Sequence, residues 1–162
     1  MVFVAGVIVG VAGTTAAALW GMRRWMLVRR TSPLDVDHTV ERLCEAARNA
    51  GWSVPKVYDL TGSIRNAGEV LEPRVRVISL CKPAYAARVL GRGAYRRLAG
   101  IMPCRIAVYE EEDGSVTVAQ MNTGLLAPIF GRWVGRIMAR VTEETEGILG
   151  SLNRTPSPAP RG

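Results

Sequence analysis

Two cysteines carry the clearest chemical potential in this sequence. Cys81 closes one predicted strand and Cys104 opens another. If these strands are antiparallel neighbours, both thiols lie at the same edge of the sheet. Cys81 also precedes a predicted helix, whose dipole favours a thiolate, and Lys82 and Arg105 add positive charge. The sequence therefore permits a thiol site for redox chemistry, sulfur transfer or a soft metal.

The competing interpretation is that both cysteines only pack in the core. Two thiols are too few for a closed zinc site without further ligands, so we predict no metal site. The third cysteine, Cys44, falls on the apolar stripe of a predicted helix and suits a small core residue. The single histidine, His38, lies in the first turn of that helix, where we expect it to be exposed and a poor ligand.

A second group of candidates is polar and indicates ligand binding. Five of them form a basic stretch that contains no acid and suits an anion or a lipid headgroup: Lys82, Arg88, Arg92, Arg96 and Arg97. A solvated loop is the alternative for this stretch. The remaining candidate contacts, for a pocket between the sheet and the last helix, are Arg105, Tyr109, Asn122 and Thr123.

No catalytic machinery stands out. The sequence has no GxSxG motif and one histidine, which argues against a nucleophile triad. Gly91-Arg92-Gly93 lacks the spacing of a phosphate-binding loop. We therefore predict an uncharacterised ligand-binding or interaction domain, not an enzyme, with an unknown small-molecule or protein ligand and no identified cofactor. A thiol-dependent accessory protein that uses Cys81 and Cys104 is the alternative.

Residues 1–22 carry no charge and are almost all apolar or small. They would form roughly 30 Å of helix, enough to cross a bilayer core. Trp20 and Trp25 would lie at the interface beside arginines, so the positive-inside rule predicts a single-pass inner-membrane protein with a cytoplasmic domain. A cleaved signal peptide is the alternative, although it normally begins with basic residues. The spacing of Gly6 and Gly10 would also suit a homodimer.

The net charge of +7 belongs mainly to the flanks of the domain. Arginines next to the apolar segment and in the tail supply six of the 21 positive charges: Arg23, Arg24, Arg29, Arg30, Arg154 and Arg161. The other basic residues nearly balance the 14 acids. We therefore predict no nucleic-acid partner.

Hydrophobic periodicity predicts an α+β domain. The first half consists of a strand at 26–31, a helix capped by Asp37 and stopped by Gly51, a strand at 54–60, and a polar segment 61–72 with room for a short helix. A strand at 74–81, a helix from Pro83 and a flexible basic connector 91–100 follow. The last elements are a hairpin from Cys104 to Met121 that turns at Asp113-Gly114, and a long amphipathic helix after Pro128. Three prolines predict a disordered tail.

Three segments resemble the domain of unknown function 302 family over about residues 26–150. They are Ala50-Gly51-Trp52, Leu80-Cys81-Lys82-Pro83-Ala84 and Met102-Pro103-Cys104-Arg105-Ile106-Ala107-Val108-Tyr109-Glu110, and Met121-Asn122-Thr123-Gly124-Leu125 looks like the membrane-anchored branch. The resemblance implies a TATA-binding-protein-like antiparallel sheet of about five strands backed by helices, in a β-α-β-β-β-β-α plan, with a tendency to dimerise. It implies no established activity. The expected division is a transmembrane helix at 1–22, a basic juxtamembrane segment and first strand at 23–31, the domain at 32–152 and the tail at 153–162.

Overall fold

The computed structural model describes residues 13–14, 20–21 and 25–153. In these ranges no helix is both long and apolar enough to cross a bilayer. The predicted membrane helix at 1–22 falls almost wholly outside the described residues, and so do residues 154–162 of the predicted tail. Both therefore stay predictions.

The domain is built on one antiparallel sheet of five strands. They are β1 (Leu27–Ser32), β2 (Ser53–Asp59), β3 (Val75–Cys81), β4 (Cys104–Glu110) and β5 (Val116–Met121). The strand order is β1-β5-β4-β3-β2, and every neighbouring pair is antiparallel. The predicted hairpin is confirmed as β4–β5, and Gly114 takes the positive φ of 80° that its turn requires. The α+β class and the number of strands are therefore confirmed.

Helices fill the connections and cover the sheet. They are α1 (Val36–Asn49), α2 (Leu60–Asn66), α3 (Pro83–Leu90), α4 (Thr123–Leu126) and α5 (Gly131–Gly150), with 3-10 helices at Gly93–Ile101, Ala127–Phe130 and Ser151–Asn153. The two long helices, α1 and α5, pack against each other, and α1 also packs on the central strands. The predicted plan is thus kept, with shorter helices added between strands.

The ends of α1 show one wrong and one correct prediction. The N-cap is Asp35 and not Asp37: its carboxylate accepts the backbone N–H of His38 at 2.9 Å. The earlier start lets Val36 become fully buried, which explains the shift. The predicted stop is confirmed, because Gly51 has φ of 73° and its N–H donates to Arg48 O.

Two further segments differ from the sequence interpretation. Leu60 begins α2 instead of ending β2, because the Asp59 side chain accepts the N–H of Gly62 at 2.8 Å and caps a helix there. The basic connector is not a loose loop, since Gly93–Ile101 forms a 3-10 helix. Its turn buries Leu98, and this burial explains why the segment is structured.

The buried side chains form two groups. The larger one, here called the main core, lies between the sheet, α1 and the C-terminal half of α5, and its members include Leu43, Ile78, Leu80, Ile148 and Leu149. The smaller one, here called the second cluster, consists of Val89, Leu98, Val134 and Ile137. It joins α3 and the 93–101 turn to the N-terminal half of α5.

Candidate functional site

A cavity of about 370 Å³ lies beside the second cluster. Its walls come from α3, the end of the Gly93–Ile101 helix, the adjacent ends of β4 and β5, the start of α4, and α5 from Val134 to Thr145. This volume is in the range of small-molecule binding pockets. The cavity is therefore the place in the described structure that is best suited to a ligand.

The apolar part of the wall follows from the sequence of α5. Val134, Ile137, Met138 and Val141 recur at helical spacing and line the cavity from one side. Across from them, β4 begins at Cys104 and β5 ends at Met121, so the sheet stops at this edge. The helix therefore continues past the sheet, and the small helices that cover its N-terminal half leave space unfilled.

Polar groups are few in this wall and sit at defined points. Arg105 is the only formally charged residue among the described residues that line the cavity. Its side chain is exposed, as are Ile101 (49%) and Met121 (43%). These lining residues therefore mark the mouth of the cavity. Deeper in the wall, Gln120 and Thr145 are buried. The Gln120 amide donates to Glu146 at 3.4 Å and the Thr145 hydroxyl to Thr142 O at 3.0 Å, so what they offer a ligand is mainly their oxygen acceptors.

The two candidate thiols lie at the same end of the sheet but on opposite faces. Cys104 pairs with Leu80 in the β3–β4 register, so the alternation of strand side chains points Cys81 to the other side. Both are free, and only Cys104 lines the cavity. Thiols whose Cβ vectors diverge cannot be bridged without backbone movement. The arrangement therefore lends little support to a disulfide between them.

Cys104 is a partly buried thiol whose surroundings disfavour its ionisation. Burial raises its pKa, and the nearby Cys81 raises it further when ionised. A higher pKa reduces the fraction of reactive thiolate. Within 13–14, 20–21 and 25–153, no three His, Cys, Asp or Glu residues come together as a metal site. The thiol alternative stays a prediction that this electrostatic environment does not favour.

Lys82 has a structural role in the described chain. Its ammonium donates to Ala50 O at 2.6 Å and pairs with the Glu144 carboxylate at 2.9 Å. Ala50 follows the last turn of α1, where a cation complements the negative end of the helix dipole. Lys82 therefore ties α1 to α5 and does not reach the cavity wall.

The other basic candidates, Arg88, Arg92, Arg96 and Arg97, are exposed, and none lines the cavity. The Arg92 guanidinium lies 3.9 Å from the ring centroid of Trp133, a cation–π contact. Arg96 Nε donates to Leu90 O at 3.3 Å. These arginines form the basic outer surface of α3 and the 93–101 turn and are not part of the pocket.

The three uncharged candidates separate in the structure. Tyr109 pairs with Val75 and Thr117 towards the other end of β4, away from the cavity. Asn122 caps α4 by accepting the N–H of Leu125 at 3.3 Å. Thr123 lines the cavity, and its hydroxyl lies 2.8 Å from that of Thr142. Among the predicted contacts, the cavity therefore includes Arg105 and Thr123.

The sequence did not predict the role of Glu144, a carboxylate next to the cavity that is bound by three hydrogen-bond donors. Glu144 accepts hydrogen bonds from Trp52 Nε1 at 2.7 Å and Tyr85 OH at 2.5 Å, besides its pair with Lys82. Burial of this carboxylate raises its pKa, but the three donors outweigh burial and hold the pKa below its usual value. The Trp52 and Tyr85 donors lie 92 and 59 residues away in sequence, so no local pattern predicts the network.

The buried polar residues of the cavity wall did leave a signal. Gln120 follows Val116 and Val118 at the inward positions of β5, where a third apolar residue would be usual. Thr145 lies on the buried side of α5. A polar residue at a core position of a regular pattern is a reason to look for a site.

Comparison with known proteins places this geometry in a family. The family model described as "Domain of unknown function DUF302" matches residues 28–152. A crystal structure of an uncharacterized conserved DUF302 protein from Bacillus stearothermophilus is similar, with a TM-score of 0.70 and 20% identity over 78% of this chain and 98% of that chain. No curated protein matches. The likeness to the solved structure shows the fold alone, whereas the family match covers most of the chain, and the protein therefore belongs to the DUF302 family.

Proposed function

We propose that this protein is a membrane-anchored domain that binds an amphiphilic small molecule. The apolar part of the ligand would occupy the cavity, and a carboxylate or phosphate head would lie at Arg105. The observation that carries the proposal is a largely apolar 370 Å³ cavity whose described lining contains one charged residue, placed at the mouth.

The two parts of the cavity would supply different contributions. Burial of apolar ligand surface contributes about 25 cal/mol for each Å² removed from water. Arg105 would add specificity for a negative head, because a guanidinium can donate two parallel hydrogen bonds to a carboxylate or phosphate. Since Arg105 alternates with Cys104 along β4, its side chain points to the outer face of the sheet, where the guanidinium lies 5.9 Å from the centroid of the Tyr58 ring. It would contact the head group by turning from this ring towards the strand end at the mouth. Gln120 and Thr145 would orient a polar group deeper inside.

Labelling with a photoreactive long-chain fatty acid in membranes that contain the full chain tests the proposal. We expect the adduct to map to peptides of the cavity wall. Val141→Phe should fill the cavity and reduce the adduct to background. The matched control is Ala139→Phe, which adds the same ring at an exposed position of α5. Equal labelling of the two variants would show that the probe binds elsewhere and would overturn the proposal.

The role of Arg105 has its own test in the same assay. Arg105→Gln should lower the adduct with the free acid about tenfold, since hydrogen bonds to charged groups contribute about 1.5–3 kcal/mol. Labelling by the methyl ester should not change. Arg97→Gln, at an exposed arginine outside the cavity wall, is the control. A loss that is the same for acid and ester would assign Arg105 a purely structural role.

The thiol alternative can be distinguished from ligand binding with the same protein. If Cys104 is a working nucleophile, it should react with iodoacetamide faster than an ordinary cysteine at neutral pH. Its raised pKa and its position in the cavity wall lead us to expect slow alkylation, which the fatty acid slows further. Fast alkylation of Cys104 would favour the thiol function instead.

A further inference from the structure

Large apolar side chains are exposed around the mouth of the cavity. We call this set the apolar rim: Trp25, Met26, Leu27, Met121, Leu125 and Ile129. The β1–β5 register places Leu27 opposite Met121, and Met121 itself lines the cavity. A contiguous exposed patch of this kind marks an interaction surface more often than scattered apolar residues do.

Hydrogen bonds at Asn122 hold the parts of the rim together. Its N–H donates to Met26 O at 2.8 Å, and its side-chain amide donates to Trp25 O at 3.2 Å. The same side chain caps α4, which carries Leu125. The rim is therefore a defined surface in which β1, β5 and α4 meet.

The segments that build most of the rim and of the cavity wall are basic, although Glu146 lies against Gln120 at the wall. All 14 acids lie in the segments 35–72, 110–113 and 143–146. The segments 73–109 and 114–142, which build most of the cavity wall and the second half of the rim, contain arginines but no acid. Arg132 and Arg136 are exposed on α5 shortly after Ile129. Exposed apolar side chains next to arginines complement an anionic bilayer, which has an apolar interior beneath negatively charged headgroups.

The course of the chain points to the same surface. Trp25, within the rim, is separated from the uncharged apolar run at 1–22 by Arg23 and Arg24 alone. We propose that the apolar rim rests on an anionic bilayer, with its large side chains at the interface and the cavity mouth facing the lipid. Docking of the rim is independent of the cavity ligand. The entry route that it implies, from the bilayer into the cavity, rests on the proposed function.

A second copy of the chain suits the rim less well. Two rims facing each other would bring arginines of both copies together, and like charges in an interface are unfavourable. An anionic leaflet instead attracts each nearby basic side chain by about 1 kcal/mol in peptide systems, which corresponds to roughly fivefold in binding. The observations therefore favour lipid as the occupant.

Photocrosslinking from the protein tests this docking. The full chain would carry p-benzoylphenylalanine in place of Ile129 and be placed in vesicles of phosphatidylcholine with phosphatidylglycerol. The matched control has the same group in place of Val70. Both residues are apolar and exposed, at 72% and 83%, but Val70 belongs to the loop between α2 and β3. We expect lipid adducts at position 129 and background at position 70.

Two further arms test the role of charge. Arg132→Gln with Arg136→Gln should lower the lipid adduct severalfold, and so should omission of phosphatidylglycerol. Equal lipid adducts at positions 129 and 70, or no lipid adduct at position 129, would overturn the proposal. A crosslink from position 129 to a second copy of the chain would overturn it as well and identify the rim as a dimer interface. Fatty-acid labelling of the cavity is measured separately, so failure of one proposal leaves the other testable.

Discussion

The two halves of α5 have opposite surroundings. The C-terminal half contributes Ile148 and Leu149 to the main core, where they are 2% and 1% exposed and pack with the fully buried Leu43 of α1. The N-terminal half packs on the second cluster, whose neighbours Tyr85, Tyr95 and Trp133 are only partly buried. The cavity lies mainly beside that half, although its lining extends along the helix to Thr145.

This difference follows from what each half packs against. The C-terminal half packs with side chains of the sheet and of a second long helix, two regular surfaces that can interlock closely. The N-terminal half is covered by α3, α4 and two 3-10 turns, which are short and leave gaps. We infer that the main core supplies most of the stability, while the other half supplies the space that a ligand needs.

The largest effect should come from deleting side chains in the two halves. Ile148→Ala should lower the free energy of unfolding by about 4 kcal/mol, within the range for fully packed core residues. Ile137→Ala removes the same atoms from the same helix, but one side of Ile137 faces the cavity and has fewer contacts to lose. We expect about 2 kcal/mol there. Urea denaturation measures both, and equal losses would contradict the contrast between the halves.

Adding atoms should distinguish the main core from the cavity in the opposite way. Val118→Phe introduces a ring into the main core, where Val118 is 1% exposed, and overpacking there should cost about 2 kcal/mol. Val141→Phe directs the same ring into the cavity and should change the stability by less than about 1 kcal/mol. Thermal unfolding provides the measurement. If Val141→Phe destabilises as strongly as Val118→Phe, the cavity cannot accept an aromatic ring.

Much of the main core could be predicted from sequence because its signals are local. Period-two patterns located β3, β4 and β5, and the apolar seam of α5 was predicted from helical spacing. Gly51 was recognisable as a helix stop because only its own φ and the preceding turn matter. The start of α1 was not, since Asp35 and Asp37 are both good caps and the burial of Val36 decides between them.

The candidate site could be predicted only in part, because it depends on contacts between distant segments. Arg105 and Thr123 were recognised as polar candidates, but nothing near Tyr109 in the sequence shows that it lies away from the cavity. The cavity results from how Gly93–Ile101 and α3 pack on α5, which no periodic pattern describes. Prediction is thus better in the half that is regular than in the half that is open.

Glu144 links the main core to the cavity wall, and its substitution should destabilise the protein less than Ile148→Ala or Val118→Phe. Its carboxylate joins Trp52, which is buried in the main core, to Tyr85, which lines the cavity. Glu144→Gln keeps the shape but loses the charge, and hydrogen bonds to charged groups are stronger than neutral ones. We expect a loss of about 1–2 kcal/mol near neutral pH. Glu143→Gln, at the exposed neighbouring position, is the control and should change little.

The pH dependence of the loss of stability in Glu144→Gln shows whether Glu144 acts by its charge or by its shape. The folded pKa of Glu144 lies below the 4.5 of an unperturbed glutamate, so the unfolded chain binds this proton more readily. The stabilisation is therefore fully present above about pH 4.5 and is lost as the pH falls through the folded pKa. The difference in unfolding free energy between the parent protein and Glu144→Gln should narrow on acidification, in urea titrations at a series of pH values. A difference that stays constant down to strongly acidic pH would mean that Glu144 contributes by its shape alone, and the main core and the cavity wall would then be joined by packing and not by this carboxylate.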